Sequence, residues 1–169
     1  MKLTLTFLVA IASSVSATVL NDKRDAFSDQ ALSVHNSYRA QYGAGALTYD
    51  NNLAAGAASY AAQCNFAHSG GNFGENLFAS SGSGATINNA VDSWMAEAAQ
   101  YDYNNPGFSA ATGHFTQVVW KSSTNLGCAS QQCTTGSPFG SGEWTNILCR
   151  YTPPGNFEGQ FPENVGRPQ

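Results

Sequence analysis

The chain has 169 residues, of which only 11% are charged, and this length is enough to bury the core of one domain. From Thr18 onward, six Lys and Arg residues stand against eleven Asp and Glu residues, which gives a net charge of −5. This acidic balance, without any basic stretch, excludes nucleic acid as an expected partner and argues against attraction to anionic lipid surfaces.

The first residues predict a secreted, extracellular protein. Lys2, the apolar run 3–12 and the small residues 15–17 form the pattern of a signal peptide over residues 1–17. The apolar run is too short to span a bilayer, so we expect no transmembrane anchor. Lys23-Arg24 is a candidate trimming site within the short segment 18–26, and an ordinary charged terminus is the alternative.

The four cysteines predict two disulfides. Cys64, Cys128, Cys133 and Cys149 form an even set in a chain with a signal peptide, which is typical of a disulfide framework. Metal ligation is the weaker alternative, because no C-x-x-C pair occurs. Four cysteines allow three connectivities, and the residues alone do not choose among them.

Three segments have the apolar periodicity of helices. Residues 28–42, 50–64 and 86–100 each place apolar side chains at helical spacing. Ser28 or Asp29 is the expected cap of the first helix. The second and third helices are joined by the glycine- and serine-rich stretch 68–85, which we interpret as a loop.

Strands are predicted in the second half of the chain, over residues 114–121, 126–129 and 144–151. Turn-rich connections separate these strands, which favours a central antiparallel sheet flanked by helices, in the α+β class or as a three-layer sandwich. From Thr152 the proline-rich tail is expected to be an extended coil.

Four ionisable side chains occupy unusual positions for solvated surface residues. His68 and Glu75 lie in the glycine-rich loop, Glu97 lies beside the apolar face of the third helix, and His114 opens a predicted strand. A carboxylate among apolar neighbours, such as Glu75, needs a partner. Spacing alone favours the simpler alternative, in which each histidine is a structural residue.

Five motifs together resemble the CAP superfamily, which includes pathogenesis-related class-one proteins, cysteine-rich secretory proteins and venom antigens. They are HNSYRA, HSGGNFGENL, WMAE, GHFTQVVWKSSTNLGC and ILCRYTPPGN, and they occur in the family's order. The chain is most similar to the secreted fungal members. The resemblance covers about Phe27 to Gly159, so the expected domain is 27–159, followed by a tail over 160–169.

The resemblance implies a three-layer α-β-α sandwich with a cleft that holds His68, Glu75, Glu97 and His114. In relatives the two histidines hold a divalent ion, so His68 and His114 are candidate ligands of a weakly bound zinc ion, while His35 is expected to be a structural core residue. The resemblance also implies disulfides Cys64–Cys133 and Cys128–Cys149. The extra cysteine pair of the plant members is absent.

The family resemblance further implies a lipid carrier. The stretch YDYNNPGF resembles the family's caveolin-binding motif, and Tyr101, Tyr103 and Phe108 are its expected sterol-binding rings. The alternative is that these rings are ordinary core residues. A fatty-acid groove between helices is a second family feature, but no residue signature identifies it here. A defence or virulence role rests on fold analogy alone.

Two other functions remain as alternatives. A zinc-dependent protease would use the His/Glu cleft, but neither H-E-x-x-H nor G-x-S-x-G occurs, and no cysteine is left over as a nucleophile. No catalytic residue is therefore assigned. The C-terminal segment also resembles that of plant members, from which a signalling peptide is released, and the matching bond here is Thr152-Pro153.

Overall fold

The computed structural model describes residues 25–169, so the predicted signal peptide and the dibasic pair Lys23-Arg24 lie outside the described residues. The helices are α1 (Ala26–Gln41), α2 (Asn51–Ala61), α3 (Ile87–Ala96), α4 (Gly113–Val118) and α5 (Phe161–Asn164), and a 3₁₀ helix (Glu97–Gln100) continues α3. The strands are β1 (Thr48–Tyr49), β2 (Gly74–Ser81), β3 (Asn125–Cys133) and β4 (Trp144–Thr152).

The strands form one sheet in the order β1-β3-β4-β2. The three long strands are antiparallel, and only the two-residue β1 runs parallel to β3. Leu148 packs with α2 on one face of β4, while Ile147 and Cys149 face the larger core with α1, α3 and α4. The sheet therefore lies between two helical layers, as the α+β sandwich prediction requires.

Side-chain caps define where the three long helices begin. The Asp50 carboxylate accepts the N–H groups of Asn52 and Leu53 at the start of α2, and Thr86 forms a capping box with Asn89 at α3. The predicted cap of α1 was wrong by one turn, because Asp25 accepts the Ser28 N–H at 2.7 Å.

The strand predicted over 114–121 is wrong. Residues 113–118 form helix α4 and are followed by a turn. The four consecutive residues 115–118 are all buried, whereas a strand with one solvated face buries alternate residues. The apolar residues that suggested a strand are buried because core elements surround this short helix, and not because they form one face of a strand.

Two segments interpreted as irregular contain regular structure. Within the predicted loop 68–85, residues 74–81 form β2 and pair along their full length with β4. Within the predicted coil, α5 buries Phe161, whose ring lies 5.1 Å from that of Trp120. Both segments are rich in glycine, serine or proline, which is typical of irregular structure. Each nevertheless contributes apolar side chains to the core.

Both disulfides join the pairs that the resemblance implies. Cys64–Cys133 ties the segment just after α2 to the end of β3, and Cys128–Cys149 links directly opposed residues of β3 and β4. All four cysteines are thereby paired. Among residues 25–169, no helix is both long and apolar enough to cross a membrane.

Candidate functional site

The four predicted cleft residues come from four different parts of the chain. His68 follows α2, Glu75 is the second residue of β2, Glu97 opens the 3₁₀ helix, and His114 is the second residue of α4. His68, Glu75 and His114 line one cleft of about 370 Å³. Glu97 is joined to this cleft through its hydrogen bonds to His114.

The Glu97 carboxylate caps α4 and orients His114. One oxygen accepts the backbone N–H groups of His114 and Phe115 at 3.0 and 3.1 Å, and the other lies 2.7 Å from His114 Nδ1. Since a carboxylate only accepts, Nδ1 carries a proton, and in the neutral imidazole Nε2 is then the atom with the lone pair. The imidazole also stacks on Trp94, with 6.2 Å between the ring centroids.

Glu75 is the most heavily hydrogen-bonded carboxylate of the cleft. Its oxygens accept from the Ser69 N–H and hydroxyl, and they lie 3.2 Å from both Arg150 Nε and His68 Nδ1. Burial alone would raise the pKa of this carboxyl, but the hydrogen bonds from His68, Ser69 and Arg150 together lower it to about 2. Glu75 therefore stays ionised at any physiological pH.

The two histidines differ in exposure. The His68 side chain is 66% exposed, whereas that of His114 is 32% exposed. Both direct Nδ1 at a glutamate, so both leave Nε2 as the free acceptor. The tetrad thus consists of two His–Glu pairs, one fixed inside the fold and one near its surface.

Sequence reasoning missed two polar residues that build the cleft. Asn156 donates to the Gly113 carbonyl at 2.9 Å and accepts from the Thr116 hydroxyl, and Gln117 accepts the Gly155 N–H at 2.9 Å. Both line the cleft. They belong to the motifs GHFTQ and TPPGN, so their motif membership was the available signal.

The three rings of the aromatic loop, residues 101–108, differ in burial and do not share one exposed surface. Tyr101 is buried in the core, 5.6 Å from the ring of Phe115, and Tyr103 packs edge-on against it at 4.9 Å. Phe108, by contrast, is 55% exposed. The loop has an inner aromatic pair and one outer ring.

Phe108 connects the aromatic loop with the cleft that His68 and His114 line. It lines the cleft beside His68 and His114, and it also lines a neighbouring cavity of about 250 Å³ together with Tyr101. The two predicted sites are therefore adjacent and not independent.

Potential metal ligands also meet in the core, but they do not form a usable site. Among residues 25–169, the group of three whose donor atoms lie within 4.8 Å of one another is His35, Cys128 and Cys149. The two sulfurs are joined in a disulfide and cannot coordinate as thiolates. His35 is buried between the Ala31 carbonyl at 2.7 Å and the Tyr151 hydroxyl at 2.8 Å.

The α-β-α sandwich, two disulfides and a cleft with two His–Glu pairs define a class of small disulfide-bonded domains with an open cleft. The model of the CAP family, described as the cysteine-rich secretory protein family, matches residues 32–151. The chain belongs to this family.

Curated relatives include proteins of fungi and plants. The chain is 43% identical over 145 residues to protein PRY2 of Saccharomyces cerevisiae, a match that covers 82% of this chain and 41% of that protein. It is 39% identical over 159 residues to pathogenesis-related protein 1 of Arabidopsis thaliana, covering 92% and 94% of the two chains. The chain thus spans about two fifths of the yeast protein and nearly all of the plant one.

Solved structures share the same architecture. The hookworm platelet inhibitor superposes with a TM-score of 0.68 at 24% identity, covering 86% of this chain and 79% of that one, and this likeness concerns the fold alone. The crystal structure of NaASP2 with Zn²⁺ superposes with a TM-score of 0.68 at 26% identity, covering 83% and 86%.

Proposed function

We propose that this chain is a secreted protein that binds and carries small lipids, sterols above all and fatty acids second. The observation that carries the proposal is the position of Phe108, an exposed ring between the cleft and the loop cavity. A large apolar side chain between two cavities offers a contact surface to a ligand that lies across both. Family membership and the resemblance of the loop support the same ligand class.

A sterol suits this arrangement chemically. It is a rigid apolar body with one hydroxyl group, so aromatic surface supplies most of its binding energy and a few polar groups orient it. Phe108 offers the aromatic surface, and His68 and Asn156 line the same cleft with polar side chains. Tyr101 and Tyr103 support the loop from the inside.

The test is binding of radiolabelled cholesterol to Phe108→Ala. Because the substitution removes a ring that the ligand would cover, we expect a loss of roughly 1–3 kcal/mol, or about one to two decades in affinity. Phe139→Ala is the matched control, since Phe139 is 53% exposed and lies elsewhere. Equal cholesterol affinities for the two variants would contradict the proposal.

We further propose that His68 and His114 bind a divalent cation weakly, with zinc as the preferred ion. Imidazole nitrogens suit zinc, and both Nδ1 atoms face glutamates, so both Nε2 atoms are available. Bound zinc would supply a Lewis acid at the cleft. The NaASP2 structure with Zn²⁺ is consistent with this choice of ion.

Calorimetry with zinc on the wild type and on His114→Ala tests the metal site. We expect weak binding at neutral pH that weakens as the solution is acidified, because protons compete for imidazole, and we expect its loss in His114→Ala. Glu143→Gln removes an exposed carboxylate away from the cleft and should bind like the wild type. Equal zinc heats for the wild type and His114→Ala would eliminate His114 as a ligand.

The protease alternative has less support from the cleft. A general base at neutral pH needs a pKa near the working pH, whereas the pKa of Glu75 is lowered to about 2. Glu97 already accepts two backbone N–H groups and the His114 imidazole. Both carboxylates are suited to holding their histidines and not to activating water.

The peptide-precursor alternative also has less support. Cleavage at Thr152-Pro153 would release a segment that contains α5 and its buried Phe161. The Pro153 carbonyl accepts the Ser123 hydroxyl at 2.8 Å, which fixes the candidate bond against the fold. Release would therefore uncover part of the core.

A further inference from the structure

The C-terminal segment after α5 is attached to the body of the protein. Val165 is buried, and Asn164 accepts from the Ser122 N–H and hydroxyl at 3.0 and 2.7 Å. The Lys121 N–H donates to the Asn164 carbonyl at 3.1 Å. The position of the chain is therefore fixed at Val165, where residues 166–169 begin.

These last residues, 166–169, cross the C-terminal end of α1. A Cβ atom at Gly166 would overlap the Tyr42 carbonyl oxygen, so only glycine permits this close approach. Further on, the Gln169 N–H donates to the Gln41 carbonyl at 2.8 Å. Arg167 is thus held between two points of contact with α1.

Arg167 reaches from this crossing to the aromatic loop. Its guanidinium carbon lies 4.9 Å from the centroid of the Tyr103 ring, and Nη2 donates to the Asn104 side chain at 3.2 Å. These two residues are the centre of a turn in which Asp102 accepts the Asn104 N–H at 2.9 Å and the Asn105 N–H at 3.2 Å. One arginine therefore contacts both central residues of the turn.

We propose that Arg167 is a positioning residue for the aromatic loop, and that it acts on lipid affinity by holding Tyr103 and Asn104 in place. Tyr103 lies between the core, which it reaches through Tyr101, and the guanidinium of Arg167. A loop ordered in advance loses less conformational entropy when a ligand binds. The effect on lipid binding rests on the proposed function, whereas the effect on the loop does not.

The size of the effect follows from the exposure of the contact. Exposed cation–π contacts contribute little, and loss of one corresponds to a change of about two- to fivefold in an equilibrium constant. We therefore expect Arg167→Gln to weaken cholesterol binding about two- to fivefold and to speed backbone hydrogen exchange in residues 102–108. Arg167→Lys keeps the positive charge over the ring and should lie between the wild type and Arg167→Gln.

The experiment compares these variants with Lys121→Gln in the full chain. Lys121 is also exposed and lies near the same segment, so Lys121→Gln removes the same charge without touching the loop. Radiolabelled cholesterol binding and hydrogen exchange by mass spectrometry are measured on each protein. The melting temperature separates a local change in the loop from a general loss of stability, which would lower it and speed exchange throughout the chain.

Each outcome has a distinct meaning. Exchange in 102–108 that is the same in Arg167→Gln and Lys121→Gln would overturn the positioning role, whatever the lipid result. Tighter cholesterol binding by Arg167→Gln would also overturn it, since the guanidinium would then be covering Tyr103 and not supporting it. If the wild type binds no cholesterol while exchange still changes as expected, the lipid proposal fails and the structural role of Arg167 stands.

Discussion

Arg39 shows how a single charged side chain joins separate parts of this fold. It is fully buried, and its guanidinium donates to the carbonyl groups of Gly45, Val118, Trp120 and Ser123 at 2.8–3.0 Å. Burial lowers its pKa to about 10, so it remains charged at neutral pH. Arg39 thereby ties α1 to the end of α4 and to the turn after it.

His35 has a comparable role beneath the cleft. Its Nδ1–H donates to the Ala31 carbonyl, so Nε2 accepts from the Tyr151 hydroxyl. Asn76 donates both to that hydroxyl at 3.3 Å and to the His114 carbonyl at 3.0 Å. A chain of hydrogen bonds therefore connects the core histidine with the backbone of a cleft histidine.

Helix α2 depends on one glycine of the sheet for its position. A Cβ atom at Gly127 of β3 would overlap the Ala54 backbone nitrogen and lie 2.5 Å from the Leu53 Cβ. The helix thus approaches the strand more closely than any other residue at this position permits. Ala57 and Ala61 of α2 continue the close packing against the sheet, where they contact Leu77, Ala129 and Leu148.

We expect Gly127→Ala to destabilise the protein by roughly 1–3 kcal/mol, because helix α2 must move away from the sheet. Urea unfolding measures the change in the free energy of unfolding. Gly45→Ala is the matched control, since a Cβ atom there meets nothing within 4 Å, and it should be neutral or slightly stabilising. Equal stabilities of the two variants would show that the contact at Gly127 relaxes without cost.

The sequence predicted the three long helices better than it predicted the short helix α4 and the strand β2. The first three helices were recognisable because their apolar spacing is a local property, although the cap of α1 was misplaced by one turn. Helix α4 was not, because residues 115–118 are buried by surrounding layers that no local pattern reveals. The strand β2 was hidden by glycine and serine, although it pairs with β4 over eight residues.

The cleft could be predicted only through its motifs. His68 and Glu75 are seven residues apart, and Glu97 and His114 are seventeen apart, yet each pair is in hydrogen-bond contact. Spacing alone favoured separate structural residues, and the family resemblance brought them together. The roles of Arg167 and of Phe108 between two cavities depend on tertiary contacts, so they required the structure.

Two ionisable groups, His35 and Glu75, make stability depend on pH over two adjoining ranges. His35 has its pKa lowered from 6.5 to about 4, chiefly by burial, so the unfolded chain binds a proton there before the folded protein does. Glu75 has its pKa lowered from 4.5 to about 2 by its hydrogen bonds, which outweigh burial. The unfolded chain therefore binds a proton at Glu75 at a higher pH than the folded protein does. Both groups therefore favour the folded state above their unfolded pKa and lose this contribution on acidification.

We expect the free energy of unfolding to fall in two steps as the pH is lowered. The first step, between pH 6.5 and about 4, belongs to His35 and amounts to about 3 kcal/mol, since each pKa unit corresponds to about 1.4 kcal/mol. The second, between pH 4.5 and about 2, belongs in part to Glu75, and Asp25 adds to it because the Ser28 hydrogen bond lowers its pKa. Urea unfolding across this pH range measures both steps.

Substitutions separate the two contributions. His35→Gln should flatten the upper step while leaving the lower one, and Glu75→Gln should reduce the lower step while leaving the upper one. If His35→Gln does not fold, the ring resonances of His35 in the wild type give the same information, because they should stay those of neutral imidazole down to about pH 4. A His35 ring that becomes protonated near pH 6.5 while the protein is still folded would mean that the core around Tyr151 admits water, and the first step would then be absent.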